Sequence, residues 1–236
     1  NEKLAARETL IGLLKENAFT KPLFVRVNDA MEAIGREDID AISPYQDQIE
    51  AIILPKTQSF DFLATLAPMI AFQNKLVPLI ETPRAIDTVT QIAAFKDVVG
   101  LFFGAADSSA SLGCKLAWEP LLYARSKVVT AAAMFNLFTI DAPFFYIDDK
   151  EGLKKEAEAV KNLGFKGKAA IHPDQIDYVN EAFAPTSEEI EEGKRVLEEY
   201  QKSGGGAVKI DGQMVDEPIA EAMRLKISLA DEDKED

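Results

Sequence analysis

The chain holds one cysteine, Cys114, among 236 residues. A lone cysteine cannot close an internal disulfide, so a reducing, cytoplasmic setting is the expectation. Positive charge is also scarce. Lys and Arg total 26 against 40 Asp and Glu, a net charge of −14. Nucleic acid and anionic membrane surfaces both require clustered cations, and neither is an expected partner. A negatively charged ligand would have to be held by local cations or by a metal. No run approaches the ~20 apolar residues of a membrane span, and no secretory signal opens the chain. The first residue is Asn1, not Met, so the expectation is a processed chain or a start inside a longer protein. What is abundant is apolar content, 47%. That is enough for one large α/β domain or two small ones.

Two apolar stretches organise the rest, and both end in a carboxylate. Leu76-Val77-Pro78-Leu79-Ile80 stops at Glu81, and Val98-Val99-Gly100-Leu101-Phe102-Phe103 closes through Gly104 to Asp107. Each has the length and branched content of a strand buried on both faces. Thr82 to Lys96 between them reads as one helix, capped by Thr82, with Pro83 at its first position. Strand, helix, strand makes a parallel βαβ unit, which puts Glu81 and Asp107 at the same end of neighbouring strands. Two converging carboxylates repel unless a cation lies between them, and all-oxygen ligation points to Mg²⁺ or Mn²⁺. Each carboxylate could equally cap a helix or pair with an Arg.

The same alternation runs through most of the chain. Helices are expected at Glu2 to Lys15, Ser59 to Ile70, Trp118 to Asn136 and Asp149 to Leu163, the last ended by Gly164. Leu4, Leu10, Ile11 and Leu14 are the core candidates of the first. A short helix and loop are expected over Glu37 to Tyr45. Further strands are expected at Leu23 to Asn28, Ala51 to Lys56, Leu137 to Pro143 and Lys168 to Pro173. Six strands alternating with helices predict a parallel α/β fold. Periodicity leaves open whether they form a doubly wound sheet or three-quarters of a (β/α)₈ barrel. His172, the only histidine, is tempting as a base, but its apolar strand end followed by Pro173 favours a hydrogen-bonded structural role.

Beyond Pro173 the pattern changes. Asp174 to Phe183 is a short helix, and Thr186 and Glu189 form a capping box. Glu188 to Tyr200 reads as a solvated charged face, Ser203 to Gly206 as a flexible break, and Ala207 to Met214 as a hairpin around Asp211-Gly212. Pro218 to Ala230 is a last helix, followed by an acidic tail over 231–236 expected to be disordered. The domain reading is a barrel over residues 1–183 and a helical extension over 184–236.

Several short segments occur in one order: LFVRVN at Leu23–Asn28, LPK at Leu54–Lys56, IET at Ile80–Thr82, GAAD at Gly104–Asp107 and LYARS at Leu122–Ser126. GFKGK at Gly164–Lys168, IHPDQ at Ile171–Gln175, Phe183–Pro185 and DGQMVDEP at Asp211–Pro218 continue the series. Together they resemble the HpcH/HpaI aldolase and citrate lyase beta-subunit family, particularly its stand-alone members acting on malyl-CoA or citramalyl-CoA. The resemblance runs from about Lys3 to Leu225.

This resemblance implies a (β/α)₈ TIM-type barrel, apparently lacking its first two strands here, with a C-terminal helical extension. It implies Mg²⁺, with Mn²⁺ as a substitute, held by Glu81 and Asp107. Arg26 would bind substrate beside the metal, the backbone amides of Ala106 and Asp107 would take a substrate carboxylate, and Asp216 would act as acid or base in a neighbouring subunit's site. The implied reaction is retro-Claisen cleavage of malyl-, citramalyl- or citryl-CoA to acetyl-CoA and a 2-oxo acid, in a homo-oligomer, most simply a trimer. A class II aldolase acting on a free 2-oxo-3-deoxy acid, a citryl-CoA lyase subunit of a larger complex and a non-catalytic binding homologue stay open. The family's two opening strands and their acidic D-L-E-D run are not found, so the chain alone is expected to be weakly active or inactive.

Overall fold

The computed structural model describes residues 2–204 and 206–232. It falls into two units, Asn1–Val179 and Asn180–Asp236. The first unit runs α1 (Glu2–Lys15), β1 (Phe24–Arg26), α2 (Ala33–Ile42), β2 (Ala51–Leu54), α3 (Phe60–Leu66), β3 (Leu76–Ile80), α4 (Pro83–Asp87) and α5 (Val89–Ala93). It continues with β4 (Gly100–Phe103), α6 (Ala105–Leu112), α7 (Trp118–Met134), β5 (Phe138–Asp141), α8 (Lys150–Leu163) and β6 (Gly167–Lys168). The chain then passes through α9 (Ile176–Phe183) into the second unit.

All six strands are parallel and neighbour one another in chain order, β1 to β6. A doubly wound sheet reverses its strand order at a switch point. This one steps always in the same direction, as a barrel does. The sheet is also strongly curled. Phe24 on β1 and Phe138 on β5 meet edge to face with ring centroids 5.7 Å apart. Four strand spacings in a flat sheet would separate them by roughly 19 Å. The architecture is therefore a curled, six-stranded parallel sheet with helices, consistent with part of a TIM-type barrel.

Alternation along the strands sorts the side chains onto two faces. Ile52, Leu54, Leu76, Ile80, Leu101 and Phe103 are fully buried and share one face with the even and odd positions that register pairs across strands. Ala51, Ile53, Val77 and Leu79 form the other, concave face, with Phe24, Phe102 and Phe138 packed against them. Gly100 makes room there, since a Cβ on it would run into the Phe138 ring.

Local structure departs from expectation in several places. The helix expected over Thr82 to Lys96 is two short ones, α4 and α5, broken at Thr88, whose backbone sits at φ −97°, ψ 13°. The Thr88 hydroxyl shares its proton between the Arg84 carbonyl (2.9 Å) and that of Gln58 (3.1 Å), a partner 30 residues away. Of the core candidates in α1, only Leu14 is buried, and Leu4 is 47% exposed. That helix is tied down instead by Arg7, which donates to Asp38 (2.7 Å) and Glu37 (3.1 Å) on α2. The last strand is two residues long because its continuation finds side-chain partners. The Ile171 amide donates to Gln175 Oε1 at 2.9 Å, and Gln175 Nε2 donates to the Phe144 carbonyl at 2.8 Å.

In the second unit, α10 (Ser187–Lys202) opens with the Thr186–Glu189 capping box. β7 (Val208–Ile210) and β8 (Gln213–Val215) form the antiparallel hairpin, and α11 (Glu217–Glu232) closes the described chain. α10 is more than a solvated face. Its Val196 and Tyr200 are buried with Ile210, Val215 and Ala220 in a small core. Asp231 and Glu232 continue α11, contrary to the expected disorder, and the rest of the acidic tail lies outside the described residues.

Candidate metal and substrate site

Strand parity decides which end groups can meet. Arg26 shares the concave side of β1 with Phe24, and Glu81 follows Leu79 and Val77 on the concave side of β3. Both stand at strand C-termini, the end where parallel α/β proteins gather ligands. Asp107 arrives by a different route. It lies in the first turn of α6, one helical turn beyond the end of β4. Its carboxylate nonetheless stands near enough to Glu81 to push that carboxyl upward, and the Arg26 charge acts on Glu81 in the opposite direction. These three sequence-derived candidates come together.

Glu81 is buried, with 6% of its surface exposed. Its Oε1 accepts from the Lys56 amide at 2.7 Å. Burial pushes its carboxyl above the usual carboxylate range, and neighbouring Asp107 pushes it further. The Lys56 amide and Arg26 oppose that without cancelling it. An acid in this setting gains from a nearby cation in either form, bound metal or proton. Gly104 lets the carboxylate pack where it does. A Cβ on residue 104 would stand 2.6 Å from Glu81 Cβ and 3.2 Å from its Oε2. The Gly104 amide donates to the Ile80 carbonyl at 2.9 Å, tying the end of β4 to the end of β3.

Lys56 was not singled out by sequence. It holds a left-handed backbone, φ 54°, which is uncommon for a residue with a Cβ. That turn aims its N–H at Glu81 and leaves its ammonium, 60% exposed, 3.5 Å from Asp29. Nothing in the LPK segment signals the conformation except Pro55, which ends the strand. Two grooves flank the site. One of about 200 Å³ is lined by Arg7, Val25, Arg26, Asn28 and Asp38. The other, of about 410 Å³, is lined by Asp29, Lys56, Ser59, Asp61 and Arg84.

The donor set fits a hard divalent cation. Mg²⁺ is commonly held by one or two carboxylates and completes its octahedron with water or substrate oxygens. Among the described residues no group of three or more Asp, Glu, His or Cys offers an all-protein cage. Asp141, a third carboxylate at a strand end, has the opposite parity and points among the helices. It is fully buried and engaged by Arg125 and Lys168.

The remaining candidates lie elsewhere. Ala106 stands beside Asp107 in the first turn of α6. His172 is a local cap, its Nδ1 accepting from the Asp174 amide at 3.2 Å. Asp216 belongs to the second unit, where its carboxylate accepts from the Ile219 amide at 3.4 Å at the start of α11.

Comparison with known proteins places this geometry in context. A family model described as HpcH/HpaI aldolase/citrate lyase matches residues 1–173. The citrate lyase subunit beta of Haemophilus influenzae is 31% identical over 92% of this chain and 82% of its own length. The mitochondrial citramalyl-CoA lyase of Homo sapiens is 30% identical over 100% of this chain and 76% of its own. Among solved structures, protein CitE from Mycobacterium tuberculosis in complex with magnesium, acetoacetate and coenzyme A superposes with a TM-score of 0.80. It shares 30% identity, covering 96% of this chain and 84% of that one.

Proposed function

The chain belongs to the HpcH/HpaI aldolase/citrate lyase family, and from that membership and the site we propose a Mg²⁺-dependent carbon–carbon lyase. Its substrate class is a 3-hydroxy-3-carboxyacyl-CoA thioester, cleaved to acetyl-CoA and a 2-oxo acid. One observation carries the reading: a buried carboxylate, Glu81, fixed by the Lys56 amide at a strand end, with the Asp107 and Arg26 charges both acting on it. The named relatives are a citrate lyase subunit and a citramalyl-CoA lyase, and a related structure holds magnesium and coenzyme A. The same reading takes the six strands as part of an eight-stranded barrel.

In this proposal Glu81 and Asp107 hold the cation. Once bound, it supplies Lewis acidity toward an oxygen of the 2-oxo-acid half and neutralises the two carboxylates. The backbone amides of Ala106 and Asp107 orient the substrate carboxylate. Cleavage sends the electron pair of the carbon–carbon bond into the thioester enolate while the carbinol oxygen becomes the keto oxygen. Arg26 offsets the charge that builds beside the breaking bond. Asp216, supplied by a neighbouring copy in an oligomer, takes the carbinol proton and returns it to the enolate carbon, so that no net proton is gained or lost. The Lys56 amide holds Glu81 in the orientation the cation needs. The test is direct: purify the chain with Mg²⁺ and follow acetyl-CoA release from malyl-, citramalyl- and citryl-CoA. Turnover of one of the three supports the proposal. Because the chain alone is expected to be weakly active, release from none overturns the proposal when it persists after an amino-terminal segment carrying the two further strands is supplied and Mg²⁺ binds.

A further inference from the structure

A buried, densely bonded polar cluster in the first unit lies outside the candidate site. Arg125 on α7 is 3% exposed. Its Nε donates to Asp141 Oδ1 at 2.8 Å, and an Nη donates to Oδ2 at 3.4 Å. Lys168 on β6 donates to the same carboxylate (2.9 Å), to the Ala142 carbonyl (2.7 Å) and to Glu156 on α8 (2.7 Å). The Arg125 guanidinium also lies within cation–π range of two rings. Its carbon is 5.1 Å from the Phe103 centroid and 4.9 Å from that of Trp118.

Phe103 is the last residue of β4. Gly104 follows and bonds back to β3. Ala105 comes next, buried and lining a cavity of about 20 Å³ with Arg125, a volume that takes one water. Asp107 is two residues further on. We propose that Arg125 is a positioning residue, clamping the ends of β4 and β5 so that α6 delivers Asp107 beside Glu81. The inference rests on the reading of Glu81 and Asp107 as cation ligands.

Stability alone explains this cluster poorly. A buried ion pair is often matched or bettered by apolar side chains of similar volume, because desolvation offsets the attraction. Arg125 moreover keeps one nitrogen, Nη1, buried with no hydrogen-bond partner among the described residues. What an apolar replacement cannot do is lock a strand end through two bonds while its charge lies over the Phe103 ring. Lysine cannot either, since it lacks both the fork and the plane.

The test compares Arg125→Met, Arg125→Lys and Phe103→Leu with Val128→Ala, a buried change one turn along α7. Two readouts are taken on folded protein: Mg²⁺ affinity by calorimetry, and metal-free hydrogen exchange at the Ser108 amide, which donates to the Gly104 carbonyl at 3.2 Å. Both Arg125 variants should bind Mg²⁺ at least tenfold more weakly and exchange Ser108 at least tenfold faster, while amides of α8 stay as they were. Phe103→Leu should move the same two readouts in the same direction, and Val128→Ala should lower only the melting temperature. Should Arg125→Met fail to fold, Arg125→Lys and Phe103→Leu decide the matter. Unchanged affinity and unchanged Ser108 exchange in folded Arg125 variants overturn the clamp. Absence of saturable Mg²⁺ binding by the unaltered chain sinks the ligand reading instead, and the exchange data still decide the clamp.

Discussion

At Gly104 the absence of a side chain is the functional feature. A methyl group there meets Glu81 2.6 Å from its Cβ, closer than carbon atoms approach, and backbone rather than a flexible tip must give way. Gly104→Ala should therefore displace Glu81 and cut Mg²⁺-dependent turnover by at least tenfold, with a folding cost of about 1–3 kcal/mol. Wild-type kcat and Mg²⁺ affinity in that variant would contradict this placement. Glu81→Gln and Asp107→Asn keep shape and remove charge. Each should abolish Mg²⁺-dependent activity and leave the melting curve close to that of the parent. Glu81→Gln should even be tolerated well, because burial already disfavours its ionised form. Calorimetry showing unchanged Mg²⁺ binding in both variants would put the cation elsewhere.

Between elements, Asp38 on α2 is a joint for the first unit. It accepts from the Asn28 amide (2.9 Å) and side chain (2.6 Å) at the end of β1, and from Arg7 on α1 (2.7 Å). Burial alone would raise its carboxyl, but the Asn28 and Arg7 hydrogen bonds win and hold it below the usual range. One side chain thus joins two helices to the strand that carries Arg26. Because the folded value is depressed, the stabilisation is complete above the unfolded value of ~3.9 and drains away as pH falls through the lower folded value. Asp38→Asn should cost about 1.5–3 kcal/mol at pH 7, the worth of a charged hydrogen bond. The gap between parent and variant should narrow as pH falls below about 4. Denaturant melts at pH 7 and pH 3.5 check this. A gap that stays constant across that range would mean the carboxylate charge is irrelevant to the joint.

For the whole molecule, the Phe24–Phe138 contact across the concave face reports how far the sheet curls. Both rings are only partly buried, so Phe138→Ala should cost about 2 kcal/mol, less than a fully enclosed Phe. A cost below about 0.5 kcal/mol, the ordinary scale of a surface change, would mean the contact does not hold the curl. The proposed role of Asp216 in a neighbour's site makes an oligomer the expected working form, most simply a trimer. Light scattering at micromolar concentration tests it, and a monomer with full activity would rule it out.

Much of this molecule is legible in its residues. The strand positions, the Thr82 cap, the Thr186–Glu189 box and the hairpin at Asp211 are set by local chemistry that needs no distant partner. The approach of Glu81 and Asp107 was legible only in part: parallel strands present their ends together, but Asp107 comes from the first turn of α6. What remained hidden depends on contacts far apart in sequence. Strand order, and with it the choice between a reversing sheet and a curled one, is decided by which edges meet. The break at Thr88 and the early end of β6 follow from hydroxyl and amide partners 30 and 31 residues distant. Strand parity relative to Thr139 could have turned Asp141 inward on paper, but its partners Arg125 and Lys168 come from two other elements, 16 and 27 residues away. The left-handed turn at Lys56 has no local signal beyond Pro55, and its amide is bonded to a carboxylate 25 residues further along the chain. Local propensity and alternation are properties of short windows, whereas neutralising a buried charge requires a partner that only the folded chain brings near.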